Sequence, residues 1–217
     1  RTKSAAGLAS NPAVRHAWAV MNQPSGSTIA ILLAAGESRR MGQLKALLPW
    51  QGSVLLRHQV QALLDGGVDR VVVVLGHRAD ELKSQLKGIE GASWTLNSDY
   101  LSGKTTSLKT GIAVVNAESP DAQAILILNV DQPRHPQTIR RLLDSHEAGK
   151  GLITHPTYHG KGGHPIVLSA VLLGELACID EATLGLKAVT QRHETDTIDV
   201  DLETPEVLWD LNTPEDY

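Results

Sequence analysis

Three short apolar runs between residues 29 and 128 predict buried strands. Residues 29–33 (IAILL), 70–75 (RVVVVL) and 124–128 (AILIL) are typical of strands covered on both faces of a parallel sheet. Between the first two runs, residues 53–67 carry apolar side chains at helical spacing and end on two glycines, a common stop signal for a helix. The pattern therefore predicts a βαβ unit and an α/β fold.

The rest of the chain continues this alternation of helices and strands. Helices are predicted over 79–86, 104–115, 136–149, 169–179 and 181–191, and strands over 93–96, 151–154, 165–168 and, as an edge, 195–201. Thr213 and Pro214 are predicted to be the cap and first position of a last helix.

The length of 217 residues suits one substantial core, so we expect a single domain over 27–217. The first twenty residues lack a secretory-type apolar core. We therefore expect 1–26 to be a disordered or added extension, with a native start near Met21.

Composition narrows the classes of partner. The chain has a net charge of −4, no Phe and only 3% aromatic residues, whereas nucleic-acid binders usually show a basic excess and aromatic stacking platforms. Its apolar runs are too short to span a bilayer. We expect neither a nucleic-acid nor a membrane partner. The single Cys178 cannot form an internal disulfide, which favours the cytoplasm. It lies in an apolar stretch with a helical pattern, so we expect a buried structural thiol.

The loop after the first strand has the composition of a phosphate site. It offers Ala34, Ala35, Gly36, Ser38, Arg39, Arg40, Gly42 and Lys45. The small residues leave room for a ligand, and the backbone N–H groups, hydroxyl and cations suit triphosphate oxygens. Many α/β domains without a ligand also place a glycine turn and exposed basic residues here. The loop matches neither the G-x-G-x-x-G nor the G-x-x-x-x-G-K-[ST] fingerprint.

An acidic residue, Asp131, follows the third apolar run and should emerge at the carboxyl edge of the sheet. Mg²⁺ takes oxygen ligands and is normally held by one or two carboxylates together with substrate phosphates. The alternative is an ordinary turn or helix-cap aspartate. Asp210 and Asn212 are candidates for a second oxygen ligand.

Two later segments bear on substrate binding. The amino end of the helix predicted from Lys104 is a possible site for nucleotide polar groups. His155, His159 and His164 lie in a glycine-rich segment without the register of a compact zinc site. We interpret this segment as a mobile loop covering an acceptor substrate.

Five motifs in chain order resemble one family. They are LLAAGESRRMGQLKALLPWQG, NSDYLSGKTTSLKTGI, NVDQPRHP, GGHPIVLS and DLNTPEDY. Together they resemble the MobA-like nucleotidyltransferases, and within them the molybdenum-cofactor cytidylyltransferase branch.

This resemblance implies a Rossmann-like, open, mostly parallel sheet of the nucleotide-diphospho-sugar transferase type. It also implies Mg²⁺-dependent transfer of CMP from CTP to a phosphate-bearing small molecule such as molybdopterin, with release of pyrophosphate. The implied catalytic residues are Arg40, Lys45 and Asp131, and the implied metal ligands are Asp131 and Asn212, with Asp210 as a further candidate. The implied nucleotide-binding residues are Leu33, Ala34, Ala35, Gly36, Ser38, Arg40, Lys45, Asn97, Gly103 and Ser107. Gly163 and His164 are the implied acceptor-binding residues.

Two features leave alternatives open. Asn212 stands where the family usually has Asp, so a non-catalytic protein that binds nucleotide and delivers cofactor is one alternative. Ala35 stands where guanylyl-transferring relatives tend to have Gly, which favours CTP over GTP. A related enzyme that uses GTP, a sugar phosphate or another small phosphate is the other alternative. Transient contact with a molybdoenzyme is an expectation, and the oligomeric state stays open.

Overall fold

A computed structural model describes residues 26–217. The extension expected over 1–26 falls almost wholly outside these residues. Within the described range no helix is long and apolar enough to cross a membrane.

The described chain alternates strands and helices as the apolar pattern predicts. The strands are β1 (Ser27–Ala34), β2 (Pro49–Trp50), β3 (Ser53–Val54), β4 (Arg70–Leu75), β5 (Ala92–Leu96), β6 (Ala122–Asn129), β7 (Ile153–Tyr158), β8 (Lys161–Gly162), β9 (Ile166–Ser169) and β10 (Thr197–Asp201). The α-helices are α1 (Leu55–Asp65), α2 (Ala79–Leu86), α3 (Lys104–Glu118), α4 (Pro136–Ala148), α5 (Leu173–Ala177) and α6 (Leu186–Arg192).

Eight of these strands form one mixed, mostly parallel sheet. The order is β10-β7-β9-β6-β1-β4-β5, with β8 paired to β7. β1 lies parallel to both β4 and β6, and β9 runs antiparallel between β6 and β7. The chain moves outward from β1 to β4 and β5, then returns to place β6 on the other side of β1. Ligands of open α/β sheets bind beyond the strand ends at such a reversal.

Both faces of the sheet are covered, which confirms the predicted α/β fold. Ala30 and Leu32 pack on one face with α1, α2 and α4, while Ile29 and Ile31 pack on the other with α3, α5 and α6. Full burial of each large apolar side chain contributes roughly 1.5–3 kcal/mol. The two apolar layers therefore hold the carboxyl edge of β1 and β6 rigidly in place.

Most of the segment 155–164, predicted to be a mobile loop, forms a β-hairpin instead, and only 163–164 lie outside its strands and turn. β7 continues to Tyr158 and turns back into β8, where Tyr158 pairs with Lys161. His159 and Gly160 have φ of 50° and 74° and make the turn. The prediction of a loop was wrong because glycine and histidine have low strand propensity, while cross-strand pairing decides the structure here.

The two helices predicted over 169–191 are shorter and interrupted. A 3₁₀ turn, Ala170–Leu172, precedes α5, and a second, Glu181–Thr183, is separated from α6. Leu184 and Gly185 have φ of 66° and 54°, which ends the first turn before α6 begins.

Two further expectations at the C-terminal side are wrong. The chain after Pro214 makes a turn and not a helix, closed by the Asp216 N–H donating to Thr213 O at 3.1 Å. Cys178 is exposed and not buried, because α5 ends one residue before it.

Candidate nucleotide-binding site

A cavity of about 370 Å³ opens at the carboxyl ends of β1 and β6, where the strand order reverses. Its lining includes these predicted site residues: Leu33, Ala34, Ala35, Gly36, Ser38, Lys45, Gly103, Ser107, Asp131 and Asn212. Arg39, one of the cations of the predicted phosphate loop, also lines it. Residues that the prediction did not assign to the site complete the lining: Leu44, Ala46, Tyr100, Lys104, Asn129 and Val130. The fold thus brings together segments that are separated by up to 179 positions in the chain.

The loop after β1 folds back over the strand end. Ser38 has φ of 56°, and its hydroxyl accepts a hydrogen bond from the backbone N–H of Lys45 at 3.0 Å. A Cβ at Gly36 would have no described atom within 4 Å apart from those of Gly36 and its two chain neighbours, so the strand end faces open space. This local bond places Lys45 beside the end of β6. The side chain of Arg40 lies outside what the structure describes.

Lys45 is the charged centre of the cavity. Its ammonium Nζ donates to Asp131 Oδ2 at 2.7 Å and to Asn212 Oδ1 at 3.3 Å. The Lys45 side chain is only 10% exposed and that of Asp131 22%. A partly buried pair of this kind is screened by water much less than a surface ion pair. The cation and two oxygen-bearing side chains from three distant segments therefore meet at one point.

The two oxygens at this point fit a hard divalent cation. Asp131 supplies a carboxylate and Asn212 an amide carbonyl, the types of ligand that Mg²⁺ and Mn²⁺ accept. Among the residues described, no group of three or more His, Cys, Asp and Glu side chains could hold a metal. A metal here would need further ligands from substrate phosphates and water, as is usual for Mg²⁺ in phosphoryl-transfer sites.

Asn97 does not line the cavity but lies buried behind it. Its side-chain amide donates to Thr106 Oγ1 at 2.9 Å and to Ser107 Oγ at 3.0 Å, while its Oδ1 accepts from the N–H of Asp99 at 3.0 Å. These bonds satisfy both donors of the amide. Asn97 therefore fixes the first turn of α3, including Ser107, which does line the cavity.

The amino end of α3 carries a carboxylate from a distant segment. Glu181 accepts hydrogen bonds from the backbone N–H of Thr105, at 3.0 Å, and from its hydroxyl. The hydroxyl bond is the main reason why the pKa of Glu181 lies below its ordinary value. Lys104, the first residue of α3, is exposed and lines the cavity together with the β1 loop. The G-K-T motif at residues 103–105 indicated a cation here, but the prediction did not assign Lys104 to the site.

Gly163 and His164 lie outside the cavity lining. The N–H of Gly163 donates to Pro156 O at 2.8 Å and that of His164 to Val207 O at 2.9 Å. A Cβ at Gly163 would lie 2.3 Å from Val207 O, so only glycine fits this close approach. Burial is the main cause that lowers the pKa of His164 to about 4, and the charge of Arg134 adds to it. These residues support the segment that leads to Asn212.

Arg134 is the most buried charged side chain of the segment after β6, and the prediction missed it. It is 1% exposed. Its guanidinium donates to the carbonyls of His164, Pro133, Val207 and Trp209 at 2.8–3.2 Å. Burial lowers its pKa to about 10. Arg134 thereby joins the turn that carries Asp131 to the segment that carries Asn212.

Asp210 is exposed and lines a neighbouring cavity, not the one that holds Lys45. Its backbone carbonyl accepts from the N–H of Asn212 at 2.9 Å. The carboxylate of Asp216 fixes the same turn by accepting from the N–H groups of Asn212 and Thr213 at 2.9 and 2.8 Å. Of the two candidate second ligands, Asn212 is therefore the one beside Lys45.

The cavity lies at the switch point of an open α/β sheet and is lined by a loop of small residues, by cations and by a carboxylate. This combination is typical of transferases that use nucleotides. The chain belongs to the MobA-like NTP transferase domain family, whose model matches residues 30–197. It is an enzyme of the nucleotidyltransferase type.

Individual relatives carry different names. The chain is 28% identical over 190 residues to the molybdenum cofactor cytidylyltransferase of Escherichia coli K12, covering 86% of this chain and 92% of the relative. It is 31% identical over 199 residues to the nicotine blue oxidoreductase of Paenarthrobacter nicotinovorans, covering 83% and 94%. The crystal structure of Rv0371c from Mycobacterium tuberculosis H37Rv is similar with a TM-score of 0.75 and 26% identity, covering 90% of this chain and 97% of that one. A manganese complex of that mycobacterial protein is also similar.

Proposed function

We propose that this chain transfers CMP from CTP to the phosphate of a molybdopterin-type acceptor and releases pyrophosphate, with Mg²⁺ as cofactor. One observation carries the proposal: the Lys45 ammonium lies between Asp131 and Asn212 at the edge of the cavity. The similarity to a molybdenum cofactor cytidylyltransferase supports the choice of nucleotide and acceptor.

In this proposal the triphosphate lies between the β1 loop and the start of α3. The backbone of Gly36 and the hydroxyl of Ser38 face it from one side, with Lys45 at its base. Lys104 faces it from the other side. Arg40 remains a proposed ligand from the same loop.

The chemistry needs charge neutralisation more than proton transfer. An oxygen of the acceptor phosphate attacks the α-phosphorus, a new P–O bond forms, and the bond to the bridging oxygen breaks. Pyrophosphate leaves with that electron pair. The acceptor phosphate is already ionised at neutral pH, so no general base is required. Lys45 neutralises the charge that develops on the phosphate oxygens, and the rigid strand ends hold the groups in line.

Asp131 and Asn212 would hold Mg²⁺, which when bound would polarise the phosphate oxygens. Because both oxygens contact Lys45 in the described structure, the ammonium would shift toward the triphosphate when the metal is held. The manganese complex of the mycobacterial relative supports a divalent metal in this proposal.

The proposal assigns base selection to Ala35. A Cβ constructed at Gly76 would lie 2.8 Å from the Ala35 methyl and 2.9 Å from the Tyr100 Cβ. Because Ala35 lines the cavity, its methyl takes up space there that a glycine would leave open. The smaller space suits a pyrimidine better than a purine.

The proposal includes a domain over 27–217, a preceding extension and action in the cytoplasm.

Membership of a nucleotidyltransferase family argues against the alternative of a non-catalytic protein that binds nucleotide and delivers cofactor to a molybdoenzyme. Asn212 was the residue that favoured that alternative, because an amide contributes one negative charge fewer than a carboxylate at the proposed metal site. Transfer from GTP, or to a sugar or other small phosphate, is an alternative in which the same cations and carboxylate would serve.

A nucleotide screen by thermal unfolding with Mg²⁺ tests the proposal, since a ligand that binds only the native state raises its stability. We expect stabilisation by CTP above that by GTP. Pyrophosphate release with a molybdopterin acceptor should follow and should fall by orders of magnitude in Asp131→Ala. Asp121→Ala is the matched control, since Asp121 is exposed at the opposite end of β6. Stabilisation by GTP alone would overturn the base assignment, and wild-type release by Asp131→Ala would overturn the role of Asp131.

A further inference from the structure

A second cavity, of about 400 Å³, adjoins the nucleotide cavity across one turn of the chain. Its lining consists of Trp50, Leu208, Trp209, Asp210, Leu211 and Asp216. Leu211 lines this cavity while the next residue, Asn212, lines the nucleotide cavity. The N–H of Leu211 also donates to Asp131 O at 2.9 Å, so the proposed reacting groups lie at the border between the two cavities.

Aromatic rings are concentrated around this second cavity in a chain that has few of them. The whole sequence has four Trp, three Tyr and no Phe. Two of the Trp residues, Trp50 and Trp209, line the cavity. Tyr217 packs on Trp50 with ring centroids 6.0 Å apart, and His135 packs edge-on against Trp209 at 6.3 Å. Trp209 nevertheless keeps 42% of its surface exposed, so part of the residue is available to a ligand.

The cavity also carries negative charge. Asp216 is occupied, because its carboxylate holds the N–H groups of Asn212 and Thr213. Asp210 is exposed, and none of the described residues donates a hydrogen bond to its carboxylate. A carboxylate of this kind accepts hydrogen bonds from adjacent N–H groups on the edge of a heterocycle, as Asp and Glu do with nucleobase amino groups.

We propose that this cavity is the acceptor subsite, in which a flat, N–H-rich nitrogen heterocycle of the pterin class stacks on Trp209 and Trp50 and donates hydrogen bonds to Asp210. This inference rests on the proposed function and adds a binding site to it. The phosphate arm of such a molecule extends from the aromatic cavity across Asn212 to Lys45 and Asp131, where the transfer takes place.

This assignment also gives Gly163 and His164 an indirect role. Both contact Val207, and the carbonyl of His164 and that of Trp209 share the Arg134 guanidinium. They therefore set the position of the segment that presents Trp209, and the ring of the acceptor stacks on that segment.

The test measures binding of a phosphate-free pterin, 6-hydroxymethylpterin, to the full chain by titration calorimetry, and CTP binding separately. Loss of one stacking partner costs about 1–3 kcal/mol, so Trp209→Ala should weaken pterin binding roughly tenfold while CTP affinity stays unchanged. Trp209→Phe keeps a stacking ring and should retain most of the affinity. Trp94→Ala is the matched control, because Trp94 is 47% exposed on the distant edge strand β5.

Equal pterin affinity in wild type and Trp209→Ala, or no pterin binding by a wild type that binds CTP, would overturn the subsite. Pterin binding that depends on Trp209 in a chain that does not bind CTP would support the subsite and overturn the proposed nucleotide transfer instead. Loss of pterin binding in Trp94→Ala as well would mean that the effect is not specific to this cavity and would overturn the subsite.

Discussion

The ammonium of Lys45 lies 2.7 Å from the carboxylate of Asp131, although 86 positions separate the two residues. Each is supplied by a different strand end: Lys45 by the loop after β1 and Asp131 by the turn after β6. The pair links the two halves of the sheet at its switch point. In the proposed reaction Lys45 would act on the phosphate oxygens and Asp131 would hold the metal.

Lys45→Met tests the role of the cation, since methionine has similar length but no charge. We expect kcat to fall about 10²–10³-fold, the size of effect seen when a preorganised charge-stabilising group is removed. The measurement is pyrophosphate release at saturating CTP. The control Lys109→Met removes an exposed lysine on α3 and should leave kcat unchanged. A kcat of the wild-type size in Lys45→Met would contradict the proposed role.

Asn212→Asp tests whether Asn212 contributes to metal binding. A second carboxylate beside Asp131 should lower the Mg²⁺ concentration needed for half-maximal rate several-fold, because metal affinity rises with ligand charge. The measurement is initial rate against Mg²⁺ concentration. Asn116→Asp, on the exposed face of α3, adds the same charge elsewhere and should not change the Mg²⁺ requirement. The same Mg²⁺ dependence in both variants would argue against Asn212 as a ligand.

Where the fold could be predicted from sequence, the signal was local. The segments of β1, β4 and β6 are more hydrophobic than solvent-exposed segments, so they predicted the buried strands. The helical spacing of apolar residues between them predicted the flanking helices. The predicted bounds of β4 (70–75) and of α2 (79–86) match the observed ones. The β7–β8 hairpin could not be predicted this way, because its residues Tyr158 and Lys161 are stabilised by pairing across the turn.

The candidate site, like the fold, could be predicted from the sequence only in part. Lys45 and Asp131 could be proposed from sequence because each follows an apolar strand, and the carboxyl ends of neighbouring parallel strands meet at one edge. Arg134 could not, because its partners are backbone carbonyls up to 75 positions away. Asp210 and Asn212 could not be distinguished either, since the turn that separates them into two cavities is held by Asp216 through tertiary hydrogen bonds.

Arg134→Met tests the structural role of the buried guanidinium. The substitution removes the Arg134 donor from the carbonyls of His164 and Trp209, and each unsatisfied buried polar group costs about 1–3 kcal/mol. We expect the free energy of unfolding to fall by roughly 2–4 kcal/mol in urea denaturation. Arg140→Met removes an arginine that donates to Asp65 O on an exposed surface and should cost about 1 kcal/mol or less. Equal losses in the two variants would contradict the role assigned to Arg134.

His164 should make the stability of the fold sensitive to acid. Burial first, and the charge of Arg134 second, lower its pKa from 6.5 to about 4, so the folded chain takes up this proton at lower pH than the unfolded chain does. Between these two values the unfolded state binds more protons. Stability due to the neutral ring is therefore complete above pH 6.5 and is lost as the pH falls toward 4, by at most about 1.4 kcal/mol per pH unit. Between pH 7 and pH 5 the free energy of unfolding, measured by urea denaturation, should fall less for His164→Gln than for the wild type. His159→Gln, exposed in the β7–β8 turn, should keep the wild-type loss, and a wild-type loss in His164→Gln would show that other groups cause the acid sensitivity.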